Sequence, residues 1–315
     1  MLSRSNAEAM SPAIEVVVCI PTFRRPDWLE RTIASVLGQE TDFRFAVVIV
    51  DNESVKSEGA ERARRLLSGS AIEHHICVEP MQGNCHAINR AFAEALAGFP
   101  EAEFVLMIDD DEIAKAGWLS AMVDTARRHD ADIVGGPVRR SFEVPVGQAI
   151  ADHPLFISIE GKTREVDQIH GTGNCLIRRA VFAKLPEPPL DVRFNFLGGG
   201  DMEFFTRCRL AGFKSWWCEE AVIEEFVPSE RTTAAFLTRR SIRTGSINYI
   251  VDRTHMSAPV AVAKTFASLA LGLMRGVAVL ARTGSPLRAS HPVLLPLGRL
   301  SASLGLLPQP YKAKS

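Results

Sequence analysis

Short apolar runs, spaced so that a helix fits between each pair, constrain this chain more than any other feature. Residues 16–20 (VVVCI), 45–50 (FAVVIV) and 104–108 (FVLMI) are continuously apolar rather than alternating, as in strands buried on both faces. Residues 72–78 add a fourth candidate strand. Behind Pro26, which suits a first helical turn, Leu29, Ile33 and Val36 repeat at helical spacing, so residues 27–39 are expected to be helical. A helix is expected over 58–67, and Ala87, Ala91 and Ala95, flanked by Ile88, Phe92 and Leu96, mark the next. This βαβαβ order predicts an α/β fold on an open, largely parallel sheet. Ligands of such sheets sit beyond the carboxyl ends of the strands. Thr22, Asp51 and Asp109 to Asp111 all fall there.

Composition sets the outer limits. The chain has 315 residues, 46% hydrophobic and 23% charged, enough for one large domain or two modest ones. A formal net charge of −1 points to no nucleic-acid partner. Six scattered cysteines without a CxxC pair read as reduced core thiols of a cytosolic protein rather than disulfides or a zinc site. The opening MLSRSNAEAMSPA has no apolar stretch of signal-peptide type, and no run reaches about 18 uncharged apolar residues. A cytoplasmic chain is expected.

The third apolar run drives straight into Asp109, Asp110, Asp111 and Glu112. Two readings compete. One is a solvated loop whose Asp caps a helix over residues 114–123. The other is a cation site: at a partly desolvated strand end, like charges about 4 Å apart repel by several kcal/mol, and a divalent ion removes that cost. Mg²⁺ or Mn²⁺ fits, since each takes oxygen ligands and often only one or two carboxylates, with phosphates and water completing the shell. There is no GxxxxGK[ST] phosphate loop, and GTGN at 171–174 is by itself a weak turn signal.

Further on, ADIVGGPV (131–138) reads as a strand, and GTGNCLIRR as a loop entering one. GGGDMEFFTRCRLAGF reads as a glycine-rich loop opening a helix, SWWC and AVIEEFV as strands, and 232–250 as a helix. From Pro259 the chain turns apolar. Lys264, Ser268, Arg275 and Arg282 share one helical stripe, with Val262, Phe266, Leu269, Leu273 and Leu280 on the other side. That pattern fits a helix lying in a bilayer interface, or one packed back on the body; a second run at 291–307 is a candidate partner helix.

Four segments together, CIPTFRRPDWLERTIASVLGQ, VVIVDNES, LMIDDDE and GTGNCLIRR with LGGGDMEFFTRCRLAGF, resemble the inverting family 2 glycosyltransferases of bacterial cell-surface and exopolysaccharide biosynthesis. The likeness covers residues 14–245. It implies a GT-A fold with a mixed, largely parallel sheet plus C-terminal helices. A donor half would span 13–130, an acceptor half 131–230 and a helical, membrane-associating segment 231–315. It places Pro21, Thr22 and Arg24 over the nucleoside, Asp51 on the base (usually uracil), and Asp109, with Asp110, at the ribose and sugar. Asp111 would hold Mn²⁺ or Mg²⁺ against the diphosphate, and Asp201 would be the general base. Glu203 is a second acceptor-side carboxylate, because Gly200 stands where relatives carry the Glu of an ED pair.

Departures are informative. AIN (87–89) replaces an ARN triplet, leaving Asn89 as the donor contact; Arg90, next in line, points about 100° away on a helix. Glu224 or Glu225 falls where relatives have a metal-shell His, and Glu225 is taken as the ligand. RRSIRTG retains Arg240 and Arg243 but has Thr244 where processive synthases have Trp. Gly199, Gly200, Trp217 and Arg243 are assigned to the acceptor side. The implied partners are a nucleotide-sugar donor, UDP-linked by resemblance, and a saccharide or polyprenyl-linked saccharide acceptor at the inner face of the membrane. A metal-dependent nucleotidyl- or phosphoryl-transferase and a non-catalytic membrane module are the alternatives.

Overall fold

The computed structural model describes residues 13–306; the N-terminal stretch read for a signal peptide and the last residues of the C-terminal segment lie outside these. Strands β1 (Ile14–Thr22), β2 (Arg44–Asp51), β3 (Glu73–Val78) and β4 (Phe104–Ile108) alternate with helices α1 (Pro26–Leu37), α2 (Glu58–Leu67) and α3 (Asn84–Gly98). After them come β5 (Glu112–Ala114), α4 (Trp118–Arg128), β6 (Ile133–Gly135), β7 (Val138–Phe142) and the single turn α5 (Gln148–Ala151). The chain continues through β8 (Arg164–Val166), β9 (Asn174–Arg178), α6 (Arg179–Lys184), α7 (Gly200–Leu210), β10 (Ser215–Trp217) and β11 (Ile223–Val227). Three helices close it: α8 (Ala234–His255), α9 (Ala258–Thr283) and α10 (Pro286–Ser303).

Eight strands form one sheet in the order β3-β2-β1-β4-β9-β6-β10-β8. Pairs β3–β2, β2–β1, β1–β4 and β6–β10 are parallel; β9 runs against both β4 and β6, and β8 against β10. Continuous apolar runs are explained by burial on both faces. Val17, Cys19, Val105 and Met107 pack with α3 and α7 on one side, while Val16, Val18, Leu106 and Ile108 pack with α1 and α4 on the other. A second sheet, β5-β11-β7, sits across the ends of β1 and β4.

Two expected elements differ. The run 131–138 is not one strand: a Cβ on Gly136 would lie 2.2 Å from the Ala221 carbonyl oxygen, and the chain leaves the main sheet there to start β7 in the second. Nor does the acidic run cap a helix over 114–123. Glu112–Ala114 is a strand paired with β11, and α4 starts only after Gly117, which takes φ +79.

Helix α8 belongs to the body, since its Ile247 and Val251 join the same apolar cluster as α3 and α7. Its backbone meets α10 directly: a Cβ on Gly245 would fall 1.8 Å from the Leu295 carbonyl oxygen, and one on Gly298 1.9 Å from that of Ile242. Among the described residues, α9 alone is long and apolar enough to cross a membrane by length and composition.

Candidate active site

The acidic run occupies the gap between β4 and β5, at the carboxyl edge of the main sheet. Asp110 is buried and tied to the end of β1: its Oδ2 accepts from the Thr22 hydroxyl at 2.7 Å and the Phe23 N–H at 3.3 Å. Asp111 lines the adjoining cleft, and the Arg25 guanidinium bridges it (2.7 Å) to Asp110 (3.2 Å). Thr32 of α1 reaches the backbone carbonyls of Asp110 (3.0 Å) and Glu112 (2.7 Å), fixing the loop's path.

Glu112 is 4% exposed, and one oxygen accepts from the Asp109 N–H at 2.8 Å. Strand pairing puts Glu225 directly across from it. Burial, then repulsion from Asp111 and Asp110, pushes the Asp109 carboxyl up to about 8. Glu112 is raised well above the usual range by burial and then by Asp109 and Glu225. Burial likewise raises Asp110 despite Arg25. Carboxylates outnumber what the local cations answer.

Those cations sit among the carboxylates. Arg231 lies 3.9 Å from Asp111 and 3.8 Å from Glu225, while Arg140 pairs with Glu225 at 2.8 Å. Arg25, Arg231, Asp111, Trp28 and Phe226 line a cleft of about 350 Å³, with the two rings 5.0 Å apart at its wall.

Across the loop before β9 stands Asp201, in the first turn of α7. A Cβ on Gly173 would sit 2.7 Å from Glu112 Oε1 and 2.9 Å from Asp109 Oδ2, whereas one on Gly171 would sit 3.8 Å from Asp201 Oδ2. The GTG segment therefore separates the acidic run from Asp201, and side chains are excluded where it passes the carboxylates. Asp201 Oδ1 accepts from the Met202 N–H at 2.8 Å. Burial raises its carboxyl above the ordinary range, with Arg240 and His170 pulling the other way.

A sequence-family model described as Glycosyl transferase family 2 matches residues 17–185, more than half of the chain. The chain belongs to glycosyltransferase family 2. This family 2 enzyme is 27% identical over 247 residues to the succinoglycan biosynthesis protein ExoM of Rhizobium meliloti, covering 77% of the chain and 76% of that protein. Its GT-A architecture matches that of the mannosyltransferase PcManGT from Pyrobaculum calidifontis, solved with GDP-Man and Mn²⁺, at TM-score 0.60 and 17% identity over 93% and 88% of the two chains. Staphylococcus aureus TarS (residues 1–349), solved with UDP, matches at TM-score 0.50 and 15% identity over 93% and 92%.

Within the glycosyltransferase, the residues singled out from the sequence divide into two groups. Thr22, Asp109, Asp110, Asp111, Glu225 and Asp201 converge. Pro21 stands next to last in β1 beside them, in register with Val50 of β2. Asp51 is fully buried nearby, its oxygens accepting from the backbone N–H groups of Glu53 (3.0 Å) and Ala60 (2.9 Å). The others face elsewhere. Arg24 turns to Glu53. Asn89 exchanges two 2.8 Å hydrogen bonds with the Leu190 backbone, and Arg90 pairs with Glu94. Glu203, 2% exposed, is held by Arg207 (2.9 Å) and His255 (3.2 Å). Gly199 and Gly200 are glycines because Ile247 and Cys85 crowd them: an added Cβ would fall 2.2 Å and 2.7 Å away. Trp217 is buried at the end of β10, and Arg243 lies on α8 three residues after Arg240.

Arg25, Arg140 and Arg231 were not foreseen, and Glu112 was foreseen only as part of the acidic run. TFRRP offers two arginines, and only the fold shows that the second one turns inward. Arg140 and Arg231 come from segments far apart in sequence, and nothing local marks them.

Proposed function

We propose that this enzyme transfers a sugar with inversion from a nucleotide-diphospho-sugar, a uridine one by family resemblance, to a saccharide or polyprenyl-linked saccharide acceptor. The observation that carries the reading is the GTG segment, with the acidic run on one side and Asp201 on the other. The succinoglycan biosynthesis named for its relative supports an exopolysaccharide acceptor. The manganese in the mannosyltransferase neighbour supports a divalent ion, Mn²⁺ or Mg²⁺.

Asp111 and Glu225 would hold that ion. They form an oxygen donor set of the right chemistry, with repulsion among buried neighbours that a cation relieves. When bound, it offsets charge growing on the diphosphate leaving group. The chain's own residues do the rest. Thr22, Asp51 and Asp109 line the route for nucleoside and sugar, and Arg25 and Arg231 receive the diphosphate as they let go of Asp111. The acceptor hydroxyl attacks the anomeric carbon and gives its proton to Asp201. The carbon–oxygen bond to phosphate breaks, and its electron pair leaves with the nucleoside diphosphate. One displacement inverts the centre, and no enzyme nucleophile is needed. In this division residues 13–130 bind the donor and 131–230 the acceptor; of the expected 231–315 segment, α8 packs in the body and α9 and α10 are the helices that meet the membrane.

The test is a panel of UDP-, GDP- and dTDP-sugars with a membrane-extract acceptor, run with Mn²⁺ and again with chelator. Metal-dependent consumption of one donor with inverted product supports the proposal. Consumption of none, or consumption indifferent to chelator, overturns it.

A further inference from the structure

Helix α9 is seated on α10 by its small residues. A Cβ on Gly272 would meet the Pro292 carbonyl oxygen at 2.4 Å, and one on Gly276 the Val293 side chain at 2.8 Å. Large residues about a quarter turn away are left open: Phe266 is 60% exposed, Leu273 58% and Val277 70%. At about 100° per residue, Val262, Phe266, Leu273, Val277 and Leu280 fall within about 60° of arc, a stripe that no described residue covers, with exposed Met274 and Leu271 extending the apolar surface round toward the cations. Lys264, Arg275 and Arg282 lie on the opposite side of the helix.

Charge identifies what covers the stripe. After Asp252 the sequence holds eight Lys and Arg and not one Asp or Glu, a division hidden by the chain's net charge of −1. Arg275 and Arg282 have no acidic partner among the described residues. A second copy meeting the stripe would leave those cations, on the far side of the helix, unanswered. An anionic surface answers them.

We propose that α9 lies flat in the headgroup region of an anionic bilayer, with Phe266, Leu273 and Val277 inserted. A helix about 10–12 Å across, sunk about 5–10 Å into the boundary, carries its far side at headgroup level, where Arg275 and Arg282 meet lipid phosphates. Spanning is disfavoured by the geometry, because crossing would peel Gly272 and Gly276 off α10 and take Arg275 into hydrocarbon. This docking is independent of the transfer chemistry.

The test uses the full chain with vesicles of phosphatidylcholine alone or equimolar with phosphatidylglycerol, read by flotation. Binding to the anionic vesicles is expected, weakened about tenfold or more by Phe266→Asp with Val277→Asp, and weakened by Arg275→Gln with Arg282→Gln on anionic vesicles only. All four side chains are exposed, so thermal melting should not move, and turnover on a soluble acceptor should be retained. Release by alkaline carbonate is expected of a flat helix. No binding to either vesicle, unchanged binding by the aspartate variant, resistance to carbonate, or a dimer that the same aspartates dissociate would overturn the proposal.

Discussion

Two carboxylates on one helix, two residues apart, have opposite surroundings. Glu203 is enclosed by Arg207, one turn along the same helix, and by His255 of α8. Asp201 accepts one backbone N–H, lies across the GTG segment from four other carboxylates, and is held above the ordinary carboxylate range by burial. A buried acid with complete partners is structure. A half-buried acid with incomplete partners is a fold carrying a cost, and such groups mark chemistry.

The largest expected effect follows from that contrast. Asp201→Asn should lower turnover by about 10²–10⁴, the usual contribution of a positioned base, while melting temperature holds or rises. The sign of the second effect follows from linkage. A carboxyl raised by folding makes the native state bind its proton more tightly, so its contribution to stability is greatest at low pH and falls as pH rises through the raised value. At neutral pH the native protein carries that cost and the Asn variant does not. Turnover retained in Asp201→Asn would break the comparison.

Glu203→Gln should behave in reverse. Removing one member of a buried ion cluster strands Arg207 and His255, at a cost of about 3 kcal/mol. Denaturant unfolding should show the loss, and the folded fraction should keep most of its turnover. If Glu203→Gln abolishes turnover without destabilising, the roles of the two acids are exchanged.

Such distinctions lay beyond the sequence for a physical reason. Strands β1, β2 and β4 were legible because double-sided burial demands unbroken apolar runs, and the acidic run was legible because four adjacent acids have few innocent explanations. Asp201 and Glu203 look alike in GGGDMEFF. What separates them is His255, which is 52 residues away, and the GTG segment, which comes from before β9. Gly199 and Gly200 read as room for an acceptor, yet the crowding atoms are Ile247 and Cys85. The C-terminal stripe was legible as amphipathic; the glycine notches that decide which side faces out were not.

Arg24 and Arg25 extend the comparison to cations. Arg24 is two-thirds exposed and paired with Glu53, whereas Arg25 sits between Asp110 and Asp111. By calorimetry, Arg25→Met should weaken nucleoside diphosphate binding about tenfold and, by releasing Asp111, strengthen Mn²⁺ binding in the absence of nucleotide. Arg24→Met should change either by less than about threefold, in keeping with an exposed pair. Equal losses from both substitutions would mean that the donor approaches from the Arg24 side.

The smallest effect is the sharpest test of Asp201 as base. Burial raises its carboxyl, and Arg240 on α8 is the first charged group acting to lower it. A base must be ionised to accept a proton, so kcat/KM should fall as pH drops through the raised value. Arg240→Met removes an opposing cation, which pushes the Asp201 carboxyl higher still and moves the acid limb of the profile toward neutral pH. At high pH, where Asp201 is ionised in both proteins, the two rates should converge. A uniform loss at every pH would instead make Arg240 a substrate contact. An acid limb shifted the other way would show that the group titrating in the profile is not Asp201.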